Sequence, residues 1–293
     1  MFHQVSRFVS RFRDLEQQEF LHTPEEERQW RALKDKLIAP HSIEEQPYSF
    51  GRSCVAVASL YPQAGASFIA ANVAYAWAGK GIPVTLSEMP NAISYYYFAL
   101  DYERRVHRLA NPSTPAPLLL MQNNHLRIQI DPPLLQNESS HIDQAHWLLR
   151  TCKATPFVVI DVSSRWREEG TAQLFELADE IWIVFDADLA RLTRLLLVEP
   201  PPSWWFTERK KIKLIANKWN DGLSRSRVMK KIEGTFSLWG PESGPVKVEH
   251  TLSLIDSEKA GEAQAKANLL LEQFPEEEHE FQSLIHTYKG RLL

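Results

Sequence analysis

Residues Cys54 to Pro90 read CVAVASLYPQAGASFIAANVAYAWAGKGIPVTLSEMP, and this stretch decides the fold. It begins with an apolar run of strand length, and a short turn containing Pro62 and Gly65 follows. Residues 67–79 then place apolar side chains at helical spacing, and residues 82–86 form a second apolar run. The pattern predicts a strand–helix–strand unit whose first turn lies where phosphate-binding loops lie, with backbone N–H groups and a helix N-terminus aimed at one point.

Apolar runs continue to alternate with helical patterns along the rest of the chain. This alternation predicts an α/β fold with a doubly wound, mostly parallel sheet flanked by helices. The length of 293 residues suits one large domain of this kind with additions at its termini. Further predicted strands cover residues 118–121, 126–130, 157–161, 181–186, 213–219 and 245–250.

The first 48 residues read as a helical extension and a linker. Apolar residues from Phe2 to Phe12 form one stripe, and a second helix is predicted to start at Thr23-Pro24. We expect Phe8 and Phe12 to contact a partner, although the stripe could instead lie on a membrane surface or fold back onto its own domain. The predicted domains are residues 1–48, the α/β domain 49–274 and a C-terminal helix 275–293.

Composition narrows the class of protein. A formal net charge of -4 gives no general field for nucleic acid, and the two cysteines provide neither a disulfide framework nor metal-ligand spacing. No apolar stretch reaches the roughly 20 residues that span a bilayer. We therefore expect a cytoplasmic protein, for which a peripheral membrane contact stays open.

The turn and its helix resemble the ParA/MinD family of deviant Walker A ATPases, in the SIMIBI class of P-loop proteins, and the resemblance extends from about residue 53 to about residue 263. The family loop is K-G-G-x-G-K-[ST]-T, and residues 61–68 here are YPQAGASF. Gly65 and Ser67 match, whereas the family's two lysines fall at Tyr61 and Ala66. By resemblance, the position of Tyr61 reaches across a homodimer, and Gly65, Ala66 and Ser67 are nucleotide-binding positions.

Three further positions carry the resemblance. Asp161 ends an apolar strand similar to the Walker B segment, so the resemblance makes Ser67 and Asp161 candidate Mg²⁺ ligands. Glu88, at the end of the second strand, and Asp161 are the two candidate catalytic residues. For Glu88 an equally weighted alternative is that it is a polar residue at a strand end without a catalytic role. Asn217 matches the family's asparagine that reads the adenine edge. ATP or ADP with Mg²⁺ are the ligands that the resemblance implies.

The missing loop lysines favour a degenerate member of this family. Phosphoryl transfer depends on preorganised positive charge around the developing anion. We expect hydrolysis to be absent or very slow and no cofactor to be required, unless an arginine such as Arg165 or Arg167 supplies the charge.

The expected function is that of a scaffold or positioning factor acting through protein–protein contacts, similar to the TadZ/CpaE-type proteins that place pilus machinery. Its partners would then belong to a pilus or secretion machine. Two alternatives stay open: a slow or partner-activated ATPase of the ParA/MinD type, and a DNA-partitioning factor.

Three consecutive prolines, Pro200 to Pro202, precede Trp204 and Trp205. The prolines favour an extended segment, and large aromatic side chains on a rigid segment are typical of a protein-binding anchor. We therefore predict that Trp204 and Trp205 bind a partner. The alternative is that both indoles cover the end of the core.

Overall fold

The computed structural model describes residues 53–90, 94–106, 118–130, 144–168, 170–220, 225–240 and 246–286. The predicted N-terminal extension, with Phe8 and Phe12, lies outside these residues. Strands and helices are numbered in chain order over the described residues.

Eight strands form one sheet in the order β3-β4-β2-β5-β1-β6-β7-β8. All neighbouring strands run parallel except β3 and β4, which are antiparallel. The predicted doubly wound, mostly parallel sheet is thus confirmed. The strands are β1 Ser53–Ser59, β2 Val84–Glu88, β3 Leu118–Met121, β4 Leu126–Gln129, β5 Phe157–Ser163, β6 Glu180–Asp186, β7 Ile212–Trp219 and β8 Val248–Ser253.

The helices connect these strands and cover the sheet. Short 3₁₀ turns at Arg209–Lys211, Ser237–Trp239 and Pro275–Phe281 complete the described structure. The α-helices are α1 Ala66–Gly79, α2 Tyr95–Ala99, α3 Tyr102–Val106, α4 Gln144–Ala154, α5 Thr171–Leu177, α6 Leu189–Val198, α7 Ser203–Thr207, α8 Arg225–Phe236, α9 Ser257–Ala265, α10 Leu270–Gln273 and α11 Gln282–Ile285. None of these helices combines the length and the hydrophobicity that a bilayer-spanning segment needs.

The central strands are continuous apolar runs because helices bury them on both sides. The small alanines of α1 let this helix lie close to the sheet, and Trp77 fills the remaining space. The indole of Trp77 packs edge-on against Phe157 at 4.4 Å and Trp182 at 5.9 Å between ring centroids. One part of the core therefore lies between α1 and the sheet.

Two neighbouring strands create the crevice that a doubly wound sheet offers to ligands. Strand β1 leads through α1 to β2 on one side, whereas β5 leads through α5 to β6 on the other. Because such crossovers are right-handed, α1 and α5 leave on opposite faces. The loop after β1 and the end of β5, with Asp161, therefore meet at a switch point of the topology.

The C-terminal segment packs on α1 rather than standing apart from the sheet. Phe281, Leu284 and Ile285 are buried. The Nε1 of Trp77 donates to the carbonyl of Ile285 at 3.3 Å. The described residues after 275, which the sequence pattern predicted as a separate C-terminal helix, therefore contribute to the same core.

The proline-rich segment differs from the expectation. Helix α7 begins directly after Pro202, because a proline just before the first helical turn interrupts none of that helix's hydrogen bonds. Trp204 and Trp205 are only 3% and 1% exposed, and their rings pack with Phe175, Phe236 and Trp239. Both indoles are part of the core, as the alternative interpretation of this segment expected, and a partner-binding role for them stays a prediction.

Candidate functional site

The loop between β1 and α1 is held by side chains from neighbouring elements. A backbone with its carbonyls satisfied in this way is fixed in place. Three consecutive loop carbonyls each accept one side-chain hydrogen bond: Pro62 O from Arg191 at 2.9 Å, Gln63 O from Lys218 at 2.7 Å and Ala64 O from Asn217 at 2.8 Å.

Gly65 and Asn217 fit together, and this packing explains both residues without a ligand. Gly65 has a φ of 106°, which favours glycine, and a Cβ atom there would lie 2.2 Å from the Nδ2 of Asn217. The amide of Asn217 is buried and committed to the loop. That Asn217 reads an adenine and that Gly65 and Ala66 hold a nucleotide stay predictions.

Tyr61 replaces a lysine of the family loop and turns into its own chain. Its hydroxyl donates to Asp186 Oδ1 at 2.8 Å, and the guanidinium of Arg191 lies 4.3 Å from the centre of its ring. Burial raises the pKa of Tyr61, with the Asp186 carboxylate adding to the effect. The side chain of Tyr61 therefore stabilises the loop through contacts within its own chain.

The carboxylate of Asp161 is buried at the switch point and its oxygens are occupied by protein donors. Oδ1 accepts from the backbone N–H of Ser163 at 2.8 Å and from its hydroxyl at 3.1 Å. Oδ2 accepts from the hydroxyl of Tyr96 at 2.9 Å, and that hydroxyl lies 3.1 Å from the carbonyl of Ser67. The fully buried Tyr96 thus fills the space between the start of α1 and Asp161.

Electrostatics favour a neutral tyrosine at this point. Burial raises the pKa of Tyr96 well above its ordinary value, and the nearby Asp161 raises it further. Burial also raises the pKa of Asp161, while hydrogen bonds from Ser67, Tyr96 and Ser163 oppose this shift. Tyr96 therefore remains a hydrogen-bond donor to Asp161 across the physiological pH range.

Glu88 pairs with Asp161 across β2 and β5 and caps the helix that carries Tyr96. Its Oε1 accepts from the backbone N–H of Tyr95 at 2.8 Å, and its Oε2 accepts from the hydroxyl of Ser94. Burial raises the pKa of Glu88 to about 7. In this arrangement Glu88 positions α2, and the catalytic role that the resemblance implied for it stays a prediction.

Arg165 and Arg167, the two arginines named as possible replacements for the lysines, are engaged elsewhere. Arg165 donates to the carbonyls of Met89 and Pro90 and pairs with Glu168. Arg167 lies 4.1 Å from the ring centre of Trp166 and forms an ion pair at 3.3 Å with Glu199. Since the described contacts of both guanidiniums are with these groups, this compensation finds no support in the structure.

The oxygens of Asp161 already accept hydrogen bonds, Oδ2 from Tyr96 and Oδ1 from Ser163. Mg²⁺ requires oxygen ligands in near-octahedral geometry, so an ion bound at Asp161 would compete with these donors. Ser67 Oγ lies 3.0 Å from Ser163 Oγ. Within the described ranges, no group of three or more His, Cys, Asp or Glu side chains could hold a metal ion.

Sequence reasoning missed Tyr96 and Ser163 as members of this site. Tyr96 lies in an aromatic run, Tyr95 to Phe98, of which Tyr95 and Phe98 are exposed. No sequence signal distinguishes Tyr96 from its neighbours, because its contact with Asp161 joins residues 65 positions apart. Ser163 has a φ of 51°, which turns its N–H toward Asp161 and which the sequence does not reveal.

The strand order, the loop after β1 and the acid at the end of β5 define a doubly wound fold of the P-loop NTPase class. More specifically, the chain has a ParA/MinD-type fold, as comparison with solved structures shows. No protein-family model matches the sequence, and no curated protein matches it.

Three similar structures cover most of the chain at low sequence identity. The MinC:MinD cell division protein complex of Aquifex aeolicus is 14% identical with a TM-score of 0.56, over 81% of this chain and 96% of that one. The ParA family ATPase of Chlorobium tepidum is 15% identical with a TM-score of 0.52, over 78% and 93%. A plasmid partition protein of Borrelia burgdorferi bound to AMPPNP is 15% identical with a TM-score of 0.51, over 80% and 99%.

Proposed function

We propose that this chain is a ParA/MinD-like scaffold or positioning factor that acts through protein contacts without turning over nucleotide. One observation carries the proposal: the buried hydroxyl of Tyr96 lies 2.9 Å from Oδ2 of Asp161 and 3.1 Å from the backbone carbonyl of Ser67, the two residues that the family resemblance assigns to Mg²⁺. A metal ion that bound Oδ2 of Asp161 would compete with the hydrogen bond from Tyr96.

The charge around the loop supports the same proposal. Ala66 and Tyr61 occupy the two lysine positions, and Arg165 and Arg167 make contacts elsewhere. The loop therefore retains the dipole of α1 but carries no lysine of its own, and phosphoryl transfer requires positive charge around the developing anion.

Protein partners are the natural targets of such a scaffold. One similar structure is a complex of MinD with a second protein, MinC, which gives a precedent for partner binding by this fold. A pilus or secretion machine is the assembly that we propose for this chain, and homodimerisation is part of the proposal. A dimer would need contacts other than Tyr61, because that side chain is buried in its own chain.

A slow or partner-activated ATPase is the second candidate, and one observation favours it. Arg191 and Lys218 place their charged groups on the carbonyls of Pro62 and Gln63, so two cations already lie against the loop. A partner that turned either cation toward a bound phosphate would supply part of the missing charge.

Nucleotide binding and phosphate release by the full chain test the proposal. We expect the wild-type protein to release no phosphate above the protein-free background and to leave the fluorescence of a labelled ATP unchanged. A Tyr96→Ala, Ala66→Lys variant, which removes the obstructing hydroxyl and restores a lysine, should gain measurable ATP affinity. Ala66→Lys alone is the matched control and should gain less, because Tyr96 still occupies Asp161.

Turnover by the wild-type chain that Asp161→Ala abolishes would refute the scaffold proposal and establish the ATPase. Equal ATP affinity in the wild-type chain and in Tyr96→Ala would show that Tyr96 does not obstruct the site.

A further inference from the structure

Helix α6 has two sides with different chemistry. Leu192 and Leu196 are buried against the sheet. The opposite side presents Arg194, Leu197 and Val198, and the last two are 65% and 69% exposed. The spacing of Arg194, Leu197 and Val198 places them on one stripe of the helix, so this stripe is partly cationic and partly aliphatic.

Helix α8 continues this surface. It packs against α6, and it buries Ile232 and Phe236 while exposing Lys230 and Lys231. The 3₁₀ turn after it presents Leu238, which is 47% exposed.

The ends of the two helices are joined by a hydrogen bond from Trp239 Nε1 to the carbonyl of Glu199 at 2.9 Å. Leu238 and Val198 each directly precede one of these bonded residues, so the two exposed side chains belong to adjoining parts of the surface. The outer residues form what we call the α6–α8 surface: Arg194, Leu197, Val198, Lys230, Lys231 and Leu238.

The charge of this region is opposite to that of the whole chain. Residues 189–240 contain eleven lysines and arginines but only four aspartates and glutamates, in a chain of net charge -4. Of the nearby acids, Glu199 is paired with Arg167, and Glu233 accepts from the backbone of Val248. Among the described residues, Arg194, Lys230 and Lys231 have no ion-pair partner, so the surface carries unneutralised positive charge.

We propose that the α6–α8 surface docks on an anionic lipid bilayer. Leu197, Val198 and Leu238 would enter the interface, and the cations would bind lipid phosphates, as in amphipathic segments that lie on membranes. The inference goes beyond the proposed function and does not depend on whether nucleotide binds.

The combination of side chains decides between a bilayer and other anionic partners. Duplex DNA would use the cations but gain nothing from the exposed aliphatic side chains. A protein partner would be anchored by large side chains in a pocket, whereas these aliphatic groups stand on the outer sides of two helices. A bilayer uses both the cations and the exposed aliphatic groups.

Flotation with phosphatidylcholine vesicles, with and without phosphatidylglycerol, tests the proposal on the full chain. We expect binding only to the anionic vesicles. Lys230→Gln with Lys231→Gln should weaken partitioning about 30-fold, from the usual contribution of two lysines near an anionic surface. Leu197→Ser with Val198→Ser should weaken it by a similar factor.

Matched controls lie on another helix. Arg150 and Lys153 of α4 are exposed cations, and Leu149 is an exposed leucine on the same helix. Arg150→Gln with Lys153→Gln, and Leu149→Ser, should leave flotation unchanged. Circular dichroism of each variant shows whether it is folded.

Three outcomes would overturn the proposal. The first is no flotation of the wild-type chain. The second is flotation that Phe8→Glu abolishes and the α6–α8 variants do not affect, which would assign binding to the N-terminal extension. The third is tight binding of duplex DNA at physiological salt that needs Lys230 and Lys231 but not Leu197 and Val198, which would make the surface a nucleic-acid site.

Discussion

Glu88 should make the folded chain less stable as pH rises, and Glu88→Gln should remove this dependence. Burial raises the pKa of Glu88 from 4.5 to about 7. Between these values the folded chain holds a proton that the unfolded chain releases, so the stability due to this proton is present at acid pH and lost as pH rises through about 7. For Glu88 alone, the loss between about pH 5.5 and about pH 8 amounts to about 2 kcal/mol.

Urea unfolding of the wild-type chain and of Glu88→Gln at both pH values measures this difference. Glutamine keeps the shape of the side chain and an oxygen that can accept from the N–H of Tyr95, and other titrating groups largely cancel in the comparison. Glu176→Gln, at an exposed position of α5, is the control and should follow the wild type. If wild type and Glu88→Gln lose stability in parallel, the raised pKa of Glu88 is refuted.

Two further predictions concern packing. Trp204→Ala with Trp205→Ala should lower the melting temperature by at least several degrees, because each buried tryptophan contributes about 3–5 kcal/mol to stability. Phe206→Ala, at an exposed position, is the control and should change the melting temperature little. An unchanged melting temperature of the double variant would favour partner binding by this segment. Gly65→Ala should lower the free energy of unfolding in urea by about 1–3 kcal/mol. The loss should be smaller in an Asn217→Ala background, because the steric conflict with the Asn217 side chain is then absent. Equal losses in both backgrounds would show that Asn217 does not constrain Gly65.

Local signals explain why much of the fold could be predicted from sequence. Helix α6 spans Leu189–Val198 because Asp188 caps its start by accepting from the N–H of Arg191 at 3.0 Å and Pro200 follows its end. The buried strands were visible as apolar runs. A less visible feature is the break between α2 and α3 at Leu100 and Asp101, where a φ of 45° at Asp101 ends the helical path.

The candidate site depends on contacts between distant residues, and sequence alone does not contain them. Loop motifs identified Ser67 and Asp161, but the tyrosine that joins them comes from a helix placed by Glu88. The burial of Trp204 and Trp205 could not be decided from the sequence for a similar reason, since the burial of an indole depends on which helices pack beside it. Gly65 matches the loop motif, but it also packs closely against Asn217. A match to the motif therefore does not by itself establish a function for this residue.

The cover of α1 has a consequence for how the protein is made. Trp77 rests against Ile285, which lies 208 residues later in the chain, and Asn72 accepts from the N–H of Leu271. While a ribosome is still translating the intervening residues, the apolar side of α1 has no such cover and is open to chaperones or to other nascent chains. The central helix of this protein therefore reaches its final environment only late in synthesis, and a premature stop before residue 270 would release a chain prone to aggregate.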